Sequence, residues 1–306
     1  MDEKTESRRR SRLEKIEAAK QKRGEPAIYS YTNREVLLYN ISLGSTVSEL
    51  SLVYEGHPKF HVLPTFGVVV AAAAKLPFRA EEFLPNFNPH KVLAGEHYLE
   101  ILQYPVPTEG SLVATSRLVE VLDKGKDAII RHETHIVDGV TGKPVFYSEK
   151  TSFCVGCGGF GGRRKSGAHR PATDSNLVPS RQPDKVQHEQ TSQEQSILYR
   201  LFGDRSPLHI DPETAIASGY PVPILHGLLL FGIAGKHILR SYGYFRAIKV
   251  RFSGPALPGE TLVTEMWRQG SKVLFQVRVK ETGKLCISNA AAELVSQDSC
   301  KIDSRL

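Results

Sequence analysis

The stretch His226-Gly-Leu-Leu-Leu-Phe-Gly-Ile-Ala-Gly-Lys-His-Ile-Leu239 is apolar on nearly every side, and the rest of the fold has to accommodate it. A helix with apolar residues all round has no solvent-facing side, so other elements must bury it. Strand-forming stretches follow at residues 247–252, 260–269, 272–280 and 286–294. We therefore predict a buried helix wrapped by a curved antiparallel sheet.

The same order of elements occurs in the first half of the chain. Residues 63–74 (Leu-Pro-Thr-Phe-Gly-Val-Val-Val-Ala-Ala-Ala-Ala) predict a second buried helix, with Pro64 in its first turn and Pro77 closing it. Strand-forming stretches follow at 98–103, 112–122, 128–136 and 145–154. The turn Thr141-Gly-Lys-Pro corresponds to Thr282-Gly-Lys-Leu. The sequence thus predicts an α+β protein built by internal duplication.

Composition places the chain among globular proteins. It has 306 residues, of which 40% are hydrophobic and 24% charged, and no stretch approaches the roughly 20 continuous apolar residues of a membrane span. We expect no membrane span. Four cysteines without a disulfide pattern favour a reducing compartment. The net charge of +7 permits polyanionic partners without choosing among them.

Composition also divides the chain into five segments. We predict a basic tail at 1–27, a first repeat at 28–162, a linker at 163–195, a second and catalytic repeat at 196–297, and a tail at 298–306. Residues 8–23 contain helix formers but only Leu13 and Ile16 as apolar anchors, which predicts a frayed or solvated helix. A targeting signal or a nucleic-acid arm are the alternatives for it. The linker is rich in Ser, Pro, Gln and Arg, so we expect it to be exposed and partly disordered.

A candidate site lies in Tyr199-Arg-Leu-Phe-Gly-Asp-Arg-Ser-Pro-Leu-His-Ile-Asp-Pro212. Pro207 disfavours helical geometry at Ser206, so the segment between Asp204 and His209 should be a turn. A turn can aim a carboxylate and an imidazole at one point, which suits acid–base chemistry on a water molecule. The alternative is an aspartate that forms an Asx turn beside a surface histidine.

The motifs taken together resemble the MaoC-like, or type-2, enoyl-CoA hydratases, whose signature reads roughly S/T-G-D-x-N-P-L-H. The resemblance rests on the candidate site and on Pro223-Ile-Leu-His-Gly-Leu-Leu-Leu, Val250-Arg-Phe-Ser-Gly-Pro, Leu63-Pro-Thr-Phe-Gly, Val92-Leu-Ala-Gly-Glu-His and Cys157-Gly-Gly-Phe-Gly-Gly162. It covers about residues 30 to 296. It implies a double hotdog fold, with two repeats that each wrap a long helix in a curved antiparallel sheet.

The resemblance also implies an activity, which is the hydration of trans-2-enoyl-CoA to (3R)-3-hydroxyacyl-CoA. In this implied reaction Asp204 and His209 hold the water, and the backbone N–H of Gly227 faces the thioester oxygen, where negative charge develops. We interpret His226 as a helix-cap or packing residue. We expect a homodimer and no separate cofactor, since coenzyme A is part of the substrate.

Substrate contacts implied by the resemblance are Gly95, Lys124 and Phe252, together with Arg205 and Ser206 inside the signature. The alternative for Lys124 is an ordinary hairpin lysine, and for Phe252 a core residue. Three positions depart from the family pattern: Phe202 replaces a small hydroxyl residue, Ser206 replaces asparagine, and Ala94 replaces histidine.

The last three residues, Ser304-Arg305-Leu306, resemble a peroxisomal targeting tripeptide. With a hydratase of this type they predict a peroxisomal protein of fatty-acid β-oxidation that binds the import receptor.

Other chemistries are less well supported. Cys154-Val-Gly-Cys157 lacks a second pair of ligands, so we predict no metal site. The glycine-rich residues 156–162 could cradle phosphates, but a hinge or chain reversal fits better. A thioesterase or dehydratase-like relative would carry a carboxylate on the helix that begins near His226, and that helix has none. A non-catalytic acyl-CoA-binding or nucleic-acid-binding protein is the remaining alternative, although we expect no nucleic acid partner.

Overall fold

A computed structural model describes residues 3–201 and 203–295. Within these residues ten strands form one antiparallel sheet in the order β1-β3-β4-β5-β2-β7-β10-β9-β8-β6. The strands are β1 (Ala27–Tyr31), β2 (Val92–Ile101), β3 (Gly110–Asp123), β4 (Ala128–Asp138), β5 (Pro144–Cys154), β6 (Lys185–Gln190), β7 (Phe245–Phe252), β8 (Thr261–Gln269), β9 (Lys272–Val279) and β10 (Leu285–Leu294). The helices are α1 (Glu3–Gln21), α2 (Asn33–Ser42), α3 (Leu50–Val53), α4 (Gly67–Ala72), α5 (Gln195–Tyr199), α6 (Pro212–Ala217) and α7 (Gly227–Tyr242).

The two halves of the sheet have the same topology. The first half has the order β1-β3-β4-β5-β2, and the second, read from the opposite edge, has the order β6-β8-β9-β10-β7. The halves join where β2 pairs with β7, from Glu96 opposite Arg251 to Glu100 opposite Ala247. The predicted duplication and the predicted double hotdog fold are confirmed.

The two buried helices differ in length, and the helix expected over residues 63–74 is shorter than predicted. The second, α7, has 16 residues, and ten consecutive residues from Leu229 to Ile238 are buried. The first is a 3-10 turn at Pro64–Phe66 followed by the six-residue α4. Gly67 allows this helix to approach the sheet, because a Cβ there would lie 2.7 Å from the ring of Phe146. The large apolar core spans both halves and contacts both helices.

Most residues of the basic tail are exposed, as predicted, but its helix is docked on the first repeat rather than frayed. Its helix α1 packs against β3, with Ile16 and Ala19 buried in a second apolar cluster that includes Leu118 and Phe160. Ile16 and Ala19 are enough to hold α1, because they cover an apolar surface of the first repeat. The segment that follows α1 forms β1 at the edge of the sheet.

The predicted linker is also more ordered than expected. Its first part crosses the outer face of the sheet, where Arg170 pairs with Glu133 and Glu149 and Ala172 packs beside Tyr98. Its second part is β6, which pairs with β8. The strand β6 lies at a half-exposed sheet edge, so its sequence, Lys-Val-Gln-His-Glu-Gln, is mostly polar. A sequence this polar does not predict a strand.

None of the helices in the described part of the chain combines the length and apolarity that a membrane crossing requires.

Candidate active site

The loop after α5 carries the two residues of the predicted pair. The Asp204 side chain accepts a hydrogen bond from the backbone N–H of Ser206 at 2.8 Å, which closes an Asx turn. Ser206 then caps a 3-10 turn at Pro207–His209, with Pro207 at its first position. The turn predicted from Pro207 is confirmed, and the Asx turn is present beside the pair rather than in place of it.

Asp204 and His209 face each other across a short gap. Asp204 Oδ2 lies 4.0 Å from His209 Nε2. His209 Nδ1 lies 2.8 Å from the carbonyl oxygen of Ile224. A carbonyl can only accept, so Nδ1 carries the proton and Nε2 of the neutral ring presents a lone pair. Burial lowers the pKa of His209, which favours this neutral form. The gap is therefore bordered by two acceptors.

His226 supports both members of the pair. Its Nε2 donates to the backbone carbonyl of Asp204 at 3.0 Å, and its ring stacks on that of His209 with centroids 3.7 Å apart. Burial, followed by the neighbouring His209, lowers the pKa of His226 to about 4. His226 is the N-cap residue of α7 by position, but its side chain makes no capping hydrogen bond, so the ring contributes through packing.

The first turn of α7 lies beside this loop. Gly227 is the first residue of the helix, where backbone N–H groups have no intrahelical acceptor. A Cβ on Gly227 would lie 3.2 Å from the Phe252 ring, so the absence of a side chain lets the helix start close to β7. Gly95 occupies an irregularity between Ala94 and Glu96 in the pairing of β2 with β5. Because Glu96 lies opposite Arg251, Gly95 and Phe252 are neighbouring positions on adjacent strands.

The other predicted contacts lie outside this cluster. Lys124 lies in the hairpin between β3 and β4, where its ammonium donates to the carbonyl of Arg164 at 2.6 Å. The side chain of Arg205 is exposed, and its carbonyl accepts a bond from Arg200. Phe202 and the targeting residues Ser304, Arg305 and Leu306 lie outside the described residues.

Sequence reasoning missed a row of basic side chains on the helix-facing side of the first repeat. Lys150 on β5 lies directly opposite His97 on β2 and His132 on β4. Desolvation by the surrounding protein lowers the pKa of Lys150, and the charge of Asp204 opposes this effect only in part. The available signal was the alternation in β5, in which Lys150 follows Phe146 and Ser148 on the inward-facing positions.

Two other sequence features have structural roles. In the described part of the chain no group of three or more His, Cys, Asp or Glu residues could hold a metal ion. Cys154 and Cys157 are buried in the apolar cluster beneath α1. The glycine-rich loop uses its N–H groups internally, since Gly159 and Gly161 both donate to the carboxylate of Asp123.

A double hotdog with an Asp–His pair beside the first turn of its long helix defines a protein of the MaoC-like class. Residues 29–156 match the family described as the MFE-2 hydratase 2 N-terminal domain, and residues 174–290 match the MaoC-like domain. A Dictyostelium discoideum protein named probable enoyl-CoA hydratase 2 is 37% identical over 277 residues, covering 88% of this chain and 92% of that protein. The chain belongs to this MaoC-like enoyl-CoA hydratase 2 family.

Longer relatives and a solved structure agree with this assignment. The Neurospora crassa peroxisomal hydratase-dehydrogenase-epimerase is 49% identical over 271 residues, covering 89% of this chain and 30% of that protein. The chain spans between 30% and 50% of the length of several long curated relatives that it matches. The crystal structure of a MaoC-like dehydratase from Phytophthora capsici matches with a TM-score of 0.80 and 32% identity, covering 94% of this chain and 99% of that chain.

Proposed function

We propose that this chain catalyses the addition of water to trans-2-enoyl-CoA and forms (3R)-3-hydroxyacyl-CoA. Its membership of the family supports this, as do relatives that are named enoyl-CoA hydratase 2. The single observation that carries the proposal is the 4.0 Å gap between Asp204 Oδ2 and His209 Nε2, two acceptors held on one loop.

A water molecule fits between these two atoms. If the water oxygen lies about 2.8 Å from each of the two atoms, the angle between its two hydrogen bonds is about 90°. A water molecule can donate two hydrogen bonds at this angle. The water would donate one proton to the carboxylate and the other to the imidazole lone pair. Its oxygen lone pairs then remain available for C3 of the enoyl group.

The reaction balances with one water and no other reagent. The water oxygen forms a bond to C3, the C2–C3 π electrons move toward the thioester, and negative charge develops on the thioester oxygen. The Gly227 N–H is the proposed donor to that oxygen, because the N–H of the first residue of α7 has no intrahelical acceptor. The proton that the pair removes from water is returned to C2, which completes the addition.

A spectrophotometric assay tests the proposal. Purified protein should bleach the absorbance of the conjugated thioester in trans-2-decenoyl-CoA, and chiral analysis should find the 3R product. A 3S product, or release of free coenzyme A in place of hydration, would remove the proposal. The second outcome would instead favour a thioesterase.

The cellular setting is a further part of the proposal. We place the protein in the peroxisome, in fatty-acid β-oxidation, as a homodimer recognised by the import receptor through Ser304, Arg305 and Leu306. Relatives whose names include the word peroxisomal support the compartment. Removal of residues 304–306 should leave the protein in the cytosol with its activity in vitro intact. A full-length protein found in the cytosol of its own cells would contradict the placement.

A further inference from the structure

A groove with a volume of ≈ 580 Å³ separates α1 from the glycine-rich loop at residues 156–162. Arginine side chains from both walls line it: Arg8, Arg9, Arg12 and Arg164. Arg9 fixes the two walls together, since its guanidinium donates to the carbonyl of Gly161 at 3.1 Å. The groove is therefore a product of the packing of α1, the segment that composition alone predicts to be solvated.

Positive charge exceeds negative charge in this groove, where the four arginines face the ionised carboxylate of Asp123 and Arg9 also lies 3.9 Å from Glu6. Asp123 lines the groove, but its carboxylate accepts backbone N–H groups from Gly125, Gly159 and Gly161 at 2.7–2.9 Å. Burial acts to raise the pKa of Asp123, and these donors outweigh burial and lower it. Arg8, Arg12 and Arg164 have no carboxylate within salt-bridge distance among the described residues. Clustered, unpaired guanidinium groups at a concave surface are suited to phosphate.

The groove lies at the same end of the sheet as the Asp–His pair. Asp123 at the end of β3 pairs with Ala128, Ala128 pairs with Cys154, and Cys154 pairs with Val92 at the start of β2. The next strand is β7, whose Phe252 contacts the first turn of α7. Four strand spacings of about 4.8 Å give roughly 19 Å between β3 and β7. A long extended ligand can therefore reach both places.

We propose that this groove binds the phosphate groups of the coenzyme A portion of the substrate, and that α1 is part of the substrate site. The inference rests on the proposed function. Coenzyme A carries a diphosphate and a 3′-phosphate at the end opposite its thiol, joined to the thiol by a flexible pantetheine arm. With the thioester at the α7 terminus, the arm crosses the sheet end and the phosphates meet Arg8, Arg12 and Arg164, with Lys124 in the adjacent hairpin.

Two substrates separate the phosphate contribution from the rest of the site. Trans-2-decenoyl-CoA and the trans-2-decenoyl thioester of pantetheine share the reacting group, but only the first has phosphates. In Arg8→Gln and Arg12→Gln, KM for the CoA thioester should rise about five-fold each, as expected for a partly exposed ion pair, with kcat unchanged. KM for the pantetheine thioester should not change. Arg10→Gln is the matched control, because Arg10 pairs with Glu14 on the exposed side of α1.

Binding without turnover gives an independent measurement. Calorimetric affinity of the full chain for coenzyme A should fall in the double variant Arg8→Gln/Arg12→Gln and should weaken with added salt, whereas pantetheine should show neither effect. Comparison with 3′-dephospho-coenzyme A shows which phosphate the groove holds. Equal changes for both ligands, or no change for coenzyme A, would overturn the inference. A wild-type protein that binds coenzyme A through these arginines but hydrates neither thioester would overturn the proposed function and leave this inference standing.

Discussion

His209 and His226 lie face to face, with ring centroids 3.7 Å apart and ring planes inclined by 28°. His226 also holds the backbone of Asp204 through its Nε2, so one buried ring orients both members of the pair. A charge on either ring would face the other ring at contact distance. The arrangement therefore favours two neutral imidazoles, which agrees with the lowered pKa of each.

Replacement of either member of the pair should remove most of the activity. Asp204→Asn keeps the shape but loses the charge that accepts a proton, and His209→Gln loses the imidazole lone pair. Each should lower kcat by about two to four orders of magnitude, with the affinity for coenzyme A little changed. The double variant should be hardly worse than either single one, because the activated water is already lost. A folded single variant with near wild-type kcat would contradict the shared-water mechanism.

The dependence of kcat/KM on pH should report His209. The imidazole accepts a proton only in its neutral form, and burial lowers its pKa below the ordinary 6.5. Activity should therefore remain on a plateau through neutral pH and fall as the pH drops below 6.5 toward the lowered pKa. An initial-rate profile with decenoyl-CoA measures this limb. A midpoint of the acidic limb above pH 6.5 would show that His209 is not the group whose protonation lowers kcat/KM.

Ser206→Asn should fold and retain activity. Ser206 Oγ accepts the N–H of Leu208 at 3.4 Å, a capping role that an asparagine oxygen can take over. The added amide also matches the residue that the family signature carries, so kcat should stay equal or rise. Ser206→Ala is the control, and loss of the cap should lower stability by about 1 kcal/mol. A large loss of kcat in Ser206→Asn, with Tm unchanged, would contradict this view of the turn.

Glu189 should be a determinant of stability rather than of catalysis. It lies on β6 and pairs with the fully buried Lys236 of α7 at 2.9 Å. Glu189→Ala leaves that ammonium buried without its carboxylate, which should cost about 3–5 kcal/mol in denaturant unfolding. Glu14→Ala breaks an exposed pair on α1 and should change stability by less than about 0.5 kcal/mol.

The pH dependence of this pair has a definite sign. Burial acts to raise the pKa of Glu189, but hydrogen bonds from His237 and Lys236 lower it overall. A carboxyl with a lowered folded-state pKa stabilises the protein at pH values above its unfolded-state pKa, and the stabilisation is lost as the pH falls below that value. The difference in unfolding free energy between wild type and Glu189→Ala should therefore shrink in acid. A constant difference from pH 7 to pH 3 would contradict the assignment.

The sequence by itself predicted the duplicated fold and the turn that carries the pair. Both depend on local patterns. The apolar run at α7 can only be a buried helix, and the strands that follow alternate or carry β-branched residues. Asp204 and His209 are five residues apart around a proline, so short-range backbone sterics are sufficient to predict a turn between them.

Tertiary structure alone decided the features that depend on distant segments. The helix α1 is ordered because Ile16 meets an apolar surface made by residues more than 60 positions away, which no local pattern encodes. The strand β6 exists because β8 offers it a pairing edge. Lys150 comes under the influence of Asp204 only through strand register and the packing of the second repeat on the first. Local sequence sets which elements form, whereas the pairing and burial that bring groups together are properties of the whole chain.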